Sequence, residues 1–298
     1  MKFSGHETFH VREGWLTKGM LLLRDAPDVL NSKKTFMHDH LGVGSNMGKS
    51  IRHWLSVTGL AEPVPAVRGE LQLSALGQLI LQKDRYLLDP VTWWVLHVNL
   101  VCGKETSSSW NWFFNSFYQA RFDKKACVEA LRRYLMFKQA KIPSYQTLDR
   151  DLGCLLSSYA RAVPEDASDP EESYDSPFKE LALLLFFKES GSYQLNFDKK
   201  EIPLAAMGYC LSRSVLTDEN RQVNEISVHD AASLENGPGK CFLLAASDLF
   251  ELIESYSAIN NWSDISIGGL AGSRMINYAV KAPLVWVEEH FSSVGKGL

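Results

Sequence analysis

Residues 42–59 read GVGSNMGKSIRHWLSVTG, and this stretch decides the fold of the first part of the chain. Its apolar side chains recur at helical spacing, at positions 47, 51, 54, 55 and 58. Gly59 stands where helices commonly end, so the spacing predicts a helix over 46–58 with Ser45 or Asn46 as its N-cap. The opposite face of this helix is polar and partly basic, with Lys49, Arg52, His53 and Ser56.

The flanking sequence predicts a helix-turn-helix followed by a hairpin. In chain order we expect a helix over 35–41, a tight turn, the helix over 46–58, strands at 60–64 and 71–73, and a helix over 74–80. This is the order of a winged helix-turn-helix, in which the second helix enters the major groove of DNA and the hairpin lies beside the backbone. The alternative is a non-catalytic adaptor that uses the same fold to dock partner proteins, since a fold does not fix a function.

The hypothesis of DNA binding names seven contact residues. Six of them lie in or next to the basic helix: Ser45, Asn46, Lys49, Ser50, Arg52 and His53. The seventh, Arg68, lies in the turn of the predicted hairpin, where it would contact a phosphate.

A second motif lies near the start of the chain, where residues 6–10 match the H-E-x-x-H pattern of zinc peptidases. The pattern requires a helix, on which both histidines share a face. Gly5 and Gly14 leave room for only about two helical turns, which are marginal in water. The sequence therefore predicts no metal centre, and Glu7 and His10 are the residues of the stretch that could hold a divalent ion.

The charge of the chain is unevenly distributed. Residues 1–160 contain 20 Lys and Arg against 14 Asp and Glu, a net charge of +6, whereas the remaining residues contain 11 against 21, a net charge of −10. Such asymmetry indicates an anionic partner for the first part. We expect four parts: a winged helix-turn-helix-like domain over 1–90, a helical region with basic faces over 91–163, an acidic linker over 164–177, and an acidic mixed α/β scaffold or partner-docking domain over 178–298.

The predicted fold class is α+β, mainly helical with small β-hairpins. Beyond residue 90 we expect helices that begin after Asp89, Asp123 and Ser144, then helices at 178–187, 204–213, 247–256 and 284–290, with strands at 193–197 and 241–244. No signal peptide or membrane-spanning apolar run stands out, and the five cysteines form no C-x-x-C pair. These features predict a cytoplasmic protein.

Three separated blocks resemble a bacterial family of proteins of unknown function. The blocks are Gly5-His6-Glu7-Thr8-Phe9 with Arg12, Trp15-Leu16 and Lys18-Gly19; Leu41-Gly42-Val43-Gly44 with Asn46-Met47, Ser50-Ile51-Arg52 and Trp54-Leu55; and Asp89 with Thr92-Trp93-Trp94 and Leu96-His97. The family is typified by the DNA-nicking component of the Ssp system of DNA phosphorothioation and defence. The resemblance implies a protein that acts on double-stranded DNA beside a cysteine desulfurase, an ATP-pyrophosphatase and an ATPase.

The resemblance also bears on the H-E-x-x-H stretch, because the family shares His6-Glu7, Arg12 and Lys18 but not His10. One hypothesis is structural: Glu7 pairs with Arg12 or Lys18, His6 bonds to the backbone, and the N-terminus is pinned to the helical core. The other is catalytic, since nicking needs a base or a metal such as Mg²⁺ or Mn²⁺ to activate water, and a cation to stabilise the phosphate. His6, Glu7 and Arg12 have that chemistry. We favour the structural hypothesis, because charged clusters are often ion-pair anchors.

Overall fold

The computed structural model describes residues 1–31, 37–65, 67–164, 176–214, 223–259, 264–269 and 274–294. Within these residues the chain is a mixed α+β protein with fourteen α-helices and three small sheets. The predicted α+β class is therefore confirmed. The chain divides into two compact units, Met1–Asn196 and Phe197–Leu298. None of the helices in the described ranges combines the length and apolar character needed to cross a membrane.

The first unit begins with a helical cluster and a small sheet. Its elements are α1 (Trp15–Asp25), α2 (Pro27–Asn31), α3 (Met37–Leu41), α4 (Ser45–Val57), β1 (Ala61–Pro63), β2 (Leu71–Leu73) and α5 (Ala75–Lys83). Strands β1 and β2 pair antiparallel, with Ala61 opposite Leu73. Ser74 caps α5, and its Oγ accepts a hydrogen bond from the backbone N–H of Gly77 at 3.0 Å.

Two details of this cluster differ from the sequence prediction. The N-cap of α4 is Gly44, because Ser45 already has a helical backbone. A separate short helix, α2, begins at Pro27, whose fixed φ suits a first helical position. Residues 35 and 36 of the helix predicted over 35–41 lie outside the described residues.

Helices α1 and α4 approach closely at a glycine. A Cβ atom at Gly19 would lie 2.7 Å from Cγ2 of Ile51 and 2.8 Å from Cδ1 of Leu55. Because Gly19 has no side chain, α1 can pack directly against the apolar side of α4. The polar side of α4 therefore faces away from α1.

The middle of the first unit consists of four longer helices: α6 (Pro90–Cys102), α7 (Ser108–Ser116), α8 (Lys124–Phe137) and α9 (Tyr145–Tyr159). The predicted caps of three of these helices are confirmed, because the side chains of Asp89, Asp123 and Ser144 each accept a hydrogen bond from a first-turn N–H. Helix α6 is buried on nearly every side, and His97 on it bonds the hydroxyl of Tyr159 on α9 at 2.9 Å.

A four-stranded sheet completes the first unit, with the order β3-β6-β5-β4. Its strands are β3 (Arg121–Phe122), β4 (Ala160–Val163), β5 (Leu184–Phe187) and β6 (Ser192–Leu195). Strands β4 and β5 pair in parallel, and the predicted linker at 164–177 lies between them in sequence. Residues 165–175 of that linker lie outside the described residues. The four-part division of the chain stays a prediction.

The helix predicted over 178–187 was wrong. A 3₁₀ helix at Pro177–Leu181 is followed by strand β5. A short, continuously apolar run has no periodicity that separates a buried strand from a buried helix.

The second unit contains α10 (Leu204–Ser214), β7 (Val223–Ser227), α11 (Val228–Ser233), α12 (Pro238–Cys241), α13 (Ala246–Ile259), β8 (Ile265–Gly268), β9 (Met275–Ala279) and α14 (Pro283–Val294). The three strands form an antiparallel sheet in the order β7-β9-β8. Trp286 on α14 packs over Gly208 and donates a hydrogen bond to Ser212 Oγ at 2.8 Å. The strand predicted at 241–244 was wrong, because Cys241 ends α12 and Leu243 has a φ of 50°.

Candidate nucleic-acid interface

The polar side of α4 lies on the outside of the first unit. Successive residues of an α-helix are rotated by about 100°, which places six side chains on one arc: Ser45, Asn46, Lys49, Arg52, His53 and Ser56. On the opposite arc, Ile51, Trp54 and Leu55 are fully buried. Ser45, Asn46 and Lys49 are exposed, whereas Arg52 and His53 are half-buried.

One predicted contact residue is not on this surface. Ser50 is fully buried, and its Oγ donates to the carbonyl oxygen of Phe9 at 3.4 Å. The indole N–H of Trp54 donates to the same oxygen at 3.0 Å. The N-terminal segment therefore crosses α4 on the side of Ser50 and removes that side chain from the candidate interface.

Arg52 joins α4 to the hairpin. Its Nη2 donates a hydrogen bond to the carbonyl oxygen of Gly69 at 2.5 Å. Gly69 has a φ of +88°, a left-handed conformation that glycine adopts readily. Partial burial lowers the pKa of Arg52, but a guanidinium stays protonated at neutral pH. Arg68, the neighbour of Gly69, is exposed, so this contact places an exposed cation of the hairpin turn beside α4.

His53 lies beneath the N-terminal segment. A Cβ atom at Gly5 would lie 2.8 Å from Nδ1 of His53, so only glycine lets the chain pass over the ring at this distance. Burial lowers the pKa of His53 to about 3, and the positive charge of the nearby Lys2 acts in the same direction. His53 is therefore a neutral group at physiological pH, and it adds no positive charge to the surface.

The H-E-x-x-H stretch forms a turn and not a helix. Glu7 and Thr8 have positive φ values of 49° and 69°, so His6 and His10 do not share a helical face. Glu7 is exposed and His10 is half-buried. Among the residues that the structure describes, no group of three or more His, Cys, Asp or Glu side chains could hold a metal ion.

His6 is instead buried among α4, α7 and α9. Its Nδ1 accepts a hydrogen bond from the backbone N–H of Thr8 at 3.1 Å, which places the ring proton on Nε2. Nε2 in turn lies 2.8 Å from Oδ1 of Asp151 on α9. The imidazole of His6 also stacks against the indole of Trp54, with 6.4 Å between the ring centroids. His6 thus bonds to backbone, as the structural hypothesis predicts, but also to a carboxylate that the hypothesis lacked.

Asp151 organises the anchor of the N-terminal segment. Its Oδ1 also accepts from the backbone N–H of Ser4 at 2.6 Å, and its Oδ2 accepts from the hydroxyl of Ser109. The carboxylate therefore bonds His6 through one oxygen and Ser109 through the other. A sequence signal for this residue does exist, because Asp151 is an acid at an apolar-face position of α9, between Leu148 and Leu155.

An open hollow of about 750 Å³ lies beside the start of α4. Its lining includes the basic residues Arg12 and Lys18, the acidic residues Glu13 and Asp39, and the imidazole of His38. The guanidinium of Arg12 lies over the ring of Trp15, 5.4 Å from its centroid. Gly44, the N-cap of α4, also lines the hollow.

The chain matches one family model over residues 3–288, and that family is described as "Protein of unknown function (DUF4007)". No curated protein matches the sequence.

Two solved structures share the fold of this chain over most of its length. A magnesium-ion-bound crystal structure of SspB has a TM-score of 0.81, and a second crystal structure of SspB has a TM-score of 0.79. In both cases the identity is 21%, and the match covers 98% of this chain and 88% of the other. At this identity the likeness concerns the fold alone.

Proposed function

Because this chain belongs to the DUF4007 family and shares the fold of SspB, we propose that it is a DNA-binding component of a bacterial DNA phosphorothioation and defence system. The observation that carries the proposal is the outward face of α4, where Ser45, Asn46 and Lys49 are exposed beside Arg68 of the hairpin turn. Its partners would be double-stranded DNA and the cysteine desulfurase, ATP-pyrophosphatase and ATPase of the same system.

In this proposal α3 and α4 form a helix-turn-helix and the β1–β2 hairpin is its wing. Asn46 and Lys49 on α4 would reach the major groove, in which amide and ammonium groups can read base edges. Arg68 would contact a phosphate and so position the helix. Arg52 would hold the wing in place through its bond to Gly69, in addition to any contact with DNA.

The hollow next to α4 supports the same placement. Lys18 is exposed at the rim of the hollow. The N-terminus of α4 also favours anions, because its first N–H groups are free of helical bonds and the helix dipole is positive at that end. A phosphate of the duplex would therefore be attracted to this hollow while α4 lies in the adjacent groove.

The test is a titration of a labelled duplex by fluorescence anisotropy, with Lys49→Glu as the main variant. Lys49 is exposed, and within the described ranges its one hydrogen bond joins it to its helical neighbour Asn46 at 3.2 Å, so the substitution should leave the fold intact. We expect affinity to fall at least about tenfold and the salt dependence of binding to become shallower. Lys83→Glu, an exposed charge reversal on α5, serves as the matched control and should change affinity little.

Equal affinity of the wild type and Lys49→Glu would remove α4 from the interface. If the wild type has no affinity for duplex at moderate salt, the adaptor function takes precedence, in which the same helices dock a partner protein.

Nicking is a second candidate function, and the observation that favours it is that one similar structure is of magnesium-bound SspB. In the described part of this chain no three metal-binding side chains converge, and both ring nitrogens of His6 are engaged, so we derive no catalytic step. The test is relaxation of supercoiled plasmid with Mg²⁺ or Mn²⁺, and with a chelator as control. If Glu7 takes part, Glu7→Gln should abolish nicking without affecting duplex binding.

A further inference from the structure

Four apolar side chains are exposed around the connection between α8 and α9. Phe137 is 82% exposed and Met136 is 59% exposed at the end of α8, and Ile142 and Tyr145 follow at 39% and 41%. Soluble proteins seldom expose apolar side chains in groups unless the surface binds something. We call these four residues and the basic residues among them the α8–α9 patch.

The backbone of this connection is well defined, so the exposure is not that of a loose end. The N–H of Gln139 donates to the carbonyl of Met136 at 3.0 Å, and the N–H of Ala140 donates to Leu135 at 3.0 Å. Ser144 then caps α9 through a bond from the N–H of Thr147. These bonds order the end of α8 and the start of α9, with the apolar side chains outside.

Basic residues interleave with the apolar ones. Between positions 132 and 145 the chain carries four exposed cations and no acidic residue: Arg132, Arg133, Lys138 and Lys141. One of these cations makes a cation–π contact: Nζ of Lys138 lies 5.7 Å from the ring centroid of Tyr134.

We propose that the α8–α9 patch binds single-stranded nucleic acid. Exposed aromatic rings on which bases stack, set among cations that follow the phosphates, are the combination used for unpaired strands. A protein partner fits less well, because charged residues, and lysine in particular, are depleted at the centre of protein interfaces. Here Lys138 and Lys141 lie between Phe137 and Ile142 in sequence. The inference extends the proposed DNA-binding function to a second surface, one that uses no residue of α4.

The experiment is a titration of fluorescein-labelled dT20 by anisotropy with the full-length protein. We expect the double variant Phe137→Ala/Tyr145→Ala to bind dT20 at least about tenfold more weakly, since it removes two aromatic rings on which bases would stack. The matched control is Tyr86→Ala/Tyr118→Ala, which removes two aromatic side chains that are 68% and 75% exposed elsewhere in the first unit. The control should bind dT20 like the wild type.

A charge-reversal variant and a duplex arm separate this inference from the proposed function. Arg133→Glu/Lys141→Glu should bind dT20 more weakly with a shallower salt dependence. Lys49→Glu should lose duplex affinity but keep dT20 affinity, and the Phe137/Tyr145 double variant should show the reverse. Circular dichroism checks that every variant is folded.

Two results would overturn the inference. The first is equal dT20 affinity of the wild type and the Phe137/Tyr145 double variant. The second is a wild type that does not bind dT20 but forms a dimer in analytical sedimentation. If the Phe137/Tyr145 double variant also fails to dimerise, the patch is an interface between two copies of the chain.

Discussion

At the scale of single residues, the carboxylate of Asp151 anchors the N-terminal segment of the first unit. It is 2% exposed and receives hydrogen bonds from His6, Ser4 and Ser109. Through these bonds a segment without regular secondary structure, residues 1–14, is held against α7 and α9. The segment in turn covers Ser50 and His53 on α4, so Asp151 determines which part of α4 remains outside.

We expect Asp151→Ala to lower the free energy of unfolding by about 3 kcal/mol or more, because it leaves buried donors without an acceptor. Urea denaturation followed by tryptophan fluorescence measures the change. Asp149→Ala is the control on the same helix, since Asp149 pairs with Lys124 and both side chains are 38% exposed. Such exposed pairs contribute less than about 1 kcal/mol. Similar losses in the two variants would contradict the anchor.

His53 should make the stability of the protein depend on pH. Its pKa is about 3 in the folded state, well below the ordinary value of 6.5, mainly because of burial. Between these two values the unfolded chain binds a proton that the folded chain does not, so the free energy of unfolding falls as the pH falls, by up to about 1.4 kcal/mol per pH unit. Urea denaturation between pH 7 and pH 4 should show a shallower fall for His53→Gln than for the wild type.

The residues that face His53 include His6, Lys2 and Asp151, and other carboxylates also titrate in this range. The quantity to compare is therefore the difference in slope between the two proteins. Equal slopes would mean that His53 is solvated and titrates normally in the folded protein.

The sequence indicated the importance of His6 but not its partner. The spacing His6-Glu7 with Arg12 suggested a local cluster of charges, whereas the actual partner lies 145 positions away along the chain. Residue types close in sequence show which groups are available, but a buried pair depends on how distant helices pack. An acid on the apolar face of α9 was the one local sign that a partner was required.

At the scale of elements, three of the predicted N-caps were correct, whereas the N-cap of α4 is Gly44 and not Ser45 or Asn46. Asp89, Asp123 and Ser144 were placed correctly because capping is a contact within one helical turn. The segments 178–187 and 241–244 were wrong because a continuous apolar run is compatible with a helix, a strand or a turn, and only its tertiary neighbours decide. The bond from Arg52 to Gly69 could not be predicted, since it joins two elements whose relative position is not encoded locally.

The contact between α5 and the start of the hairpin gives a prediction at this scale. A Cβ atom at Gly77 would lie 2.0 Å from the carbonyl oxygen of Leu60, a backbone atom that cannot move without shifting β1. We expect Gly77→Ala to lower the free energy of unfolding by about 1–3 kcal/mol and to weaken duplex binding, because the hairpin carries Arg68.

The control for this variant is Gln78→Ala, an exposed change on the same helix that should alter stability by less than about 0.5 kcal/mol. Both variants are measured by thermal denaturation and by duplex titration. An unchanged melting temperature for Gly77→Ala would show that α5 and β1 are farther apart than described.

At the scale of the whole molecule, the two compact units differ in charge. Residues 1–196 hold 23 Lys and Arg against 22 Asp and Glu, a net charge of +1, and residues 197–298 hold 8 against 13, a net charge of −5. All the exposed candidate contacts with nucleic acid, on α4, on the hairpin and in the α8–α9 patch, belong to the first unit. The second unit has its own sheet and its own helix packing around Trp286.

We therefore expect a fragment of residues 1–196 to remain folded and to bind duplex at least as tightly as the full chain. The fragment contains the hydrophobic core of the first unit and both cationic surfaces. It lacks the net charge of −5 of the second unit, so it should repel DNA, a polyanion, less strongly. Circular dichroism tests the first expectation, and anisotropy titrations of both proteins at the same salt concentration test the second. A folded fragment whose duplex affinity is more than about tenfold lower would place part of the DNA-binding surface in the second unit. In that case Lys49→Glu in the fragment would lower the remaining duplex affinity little further.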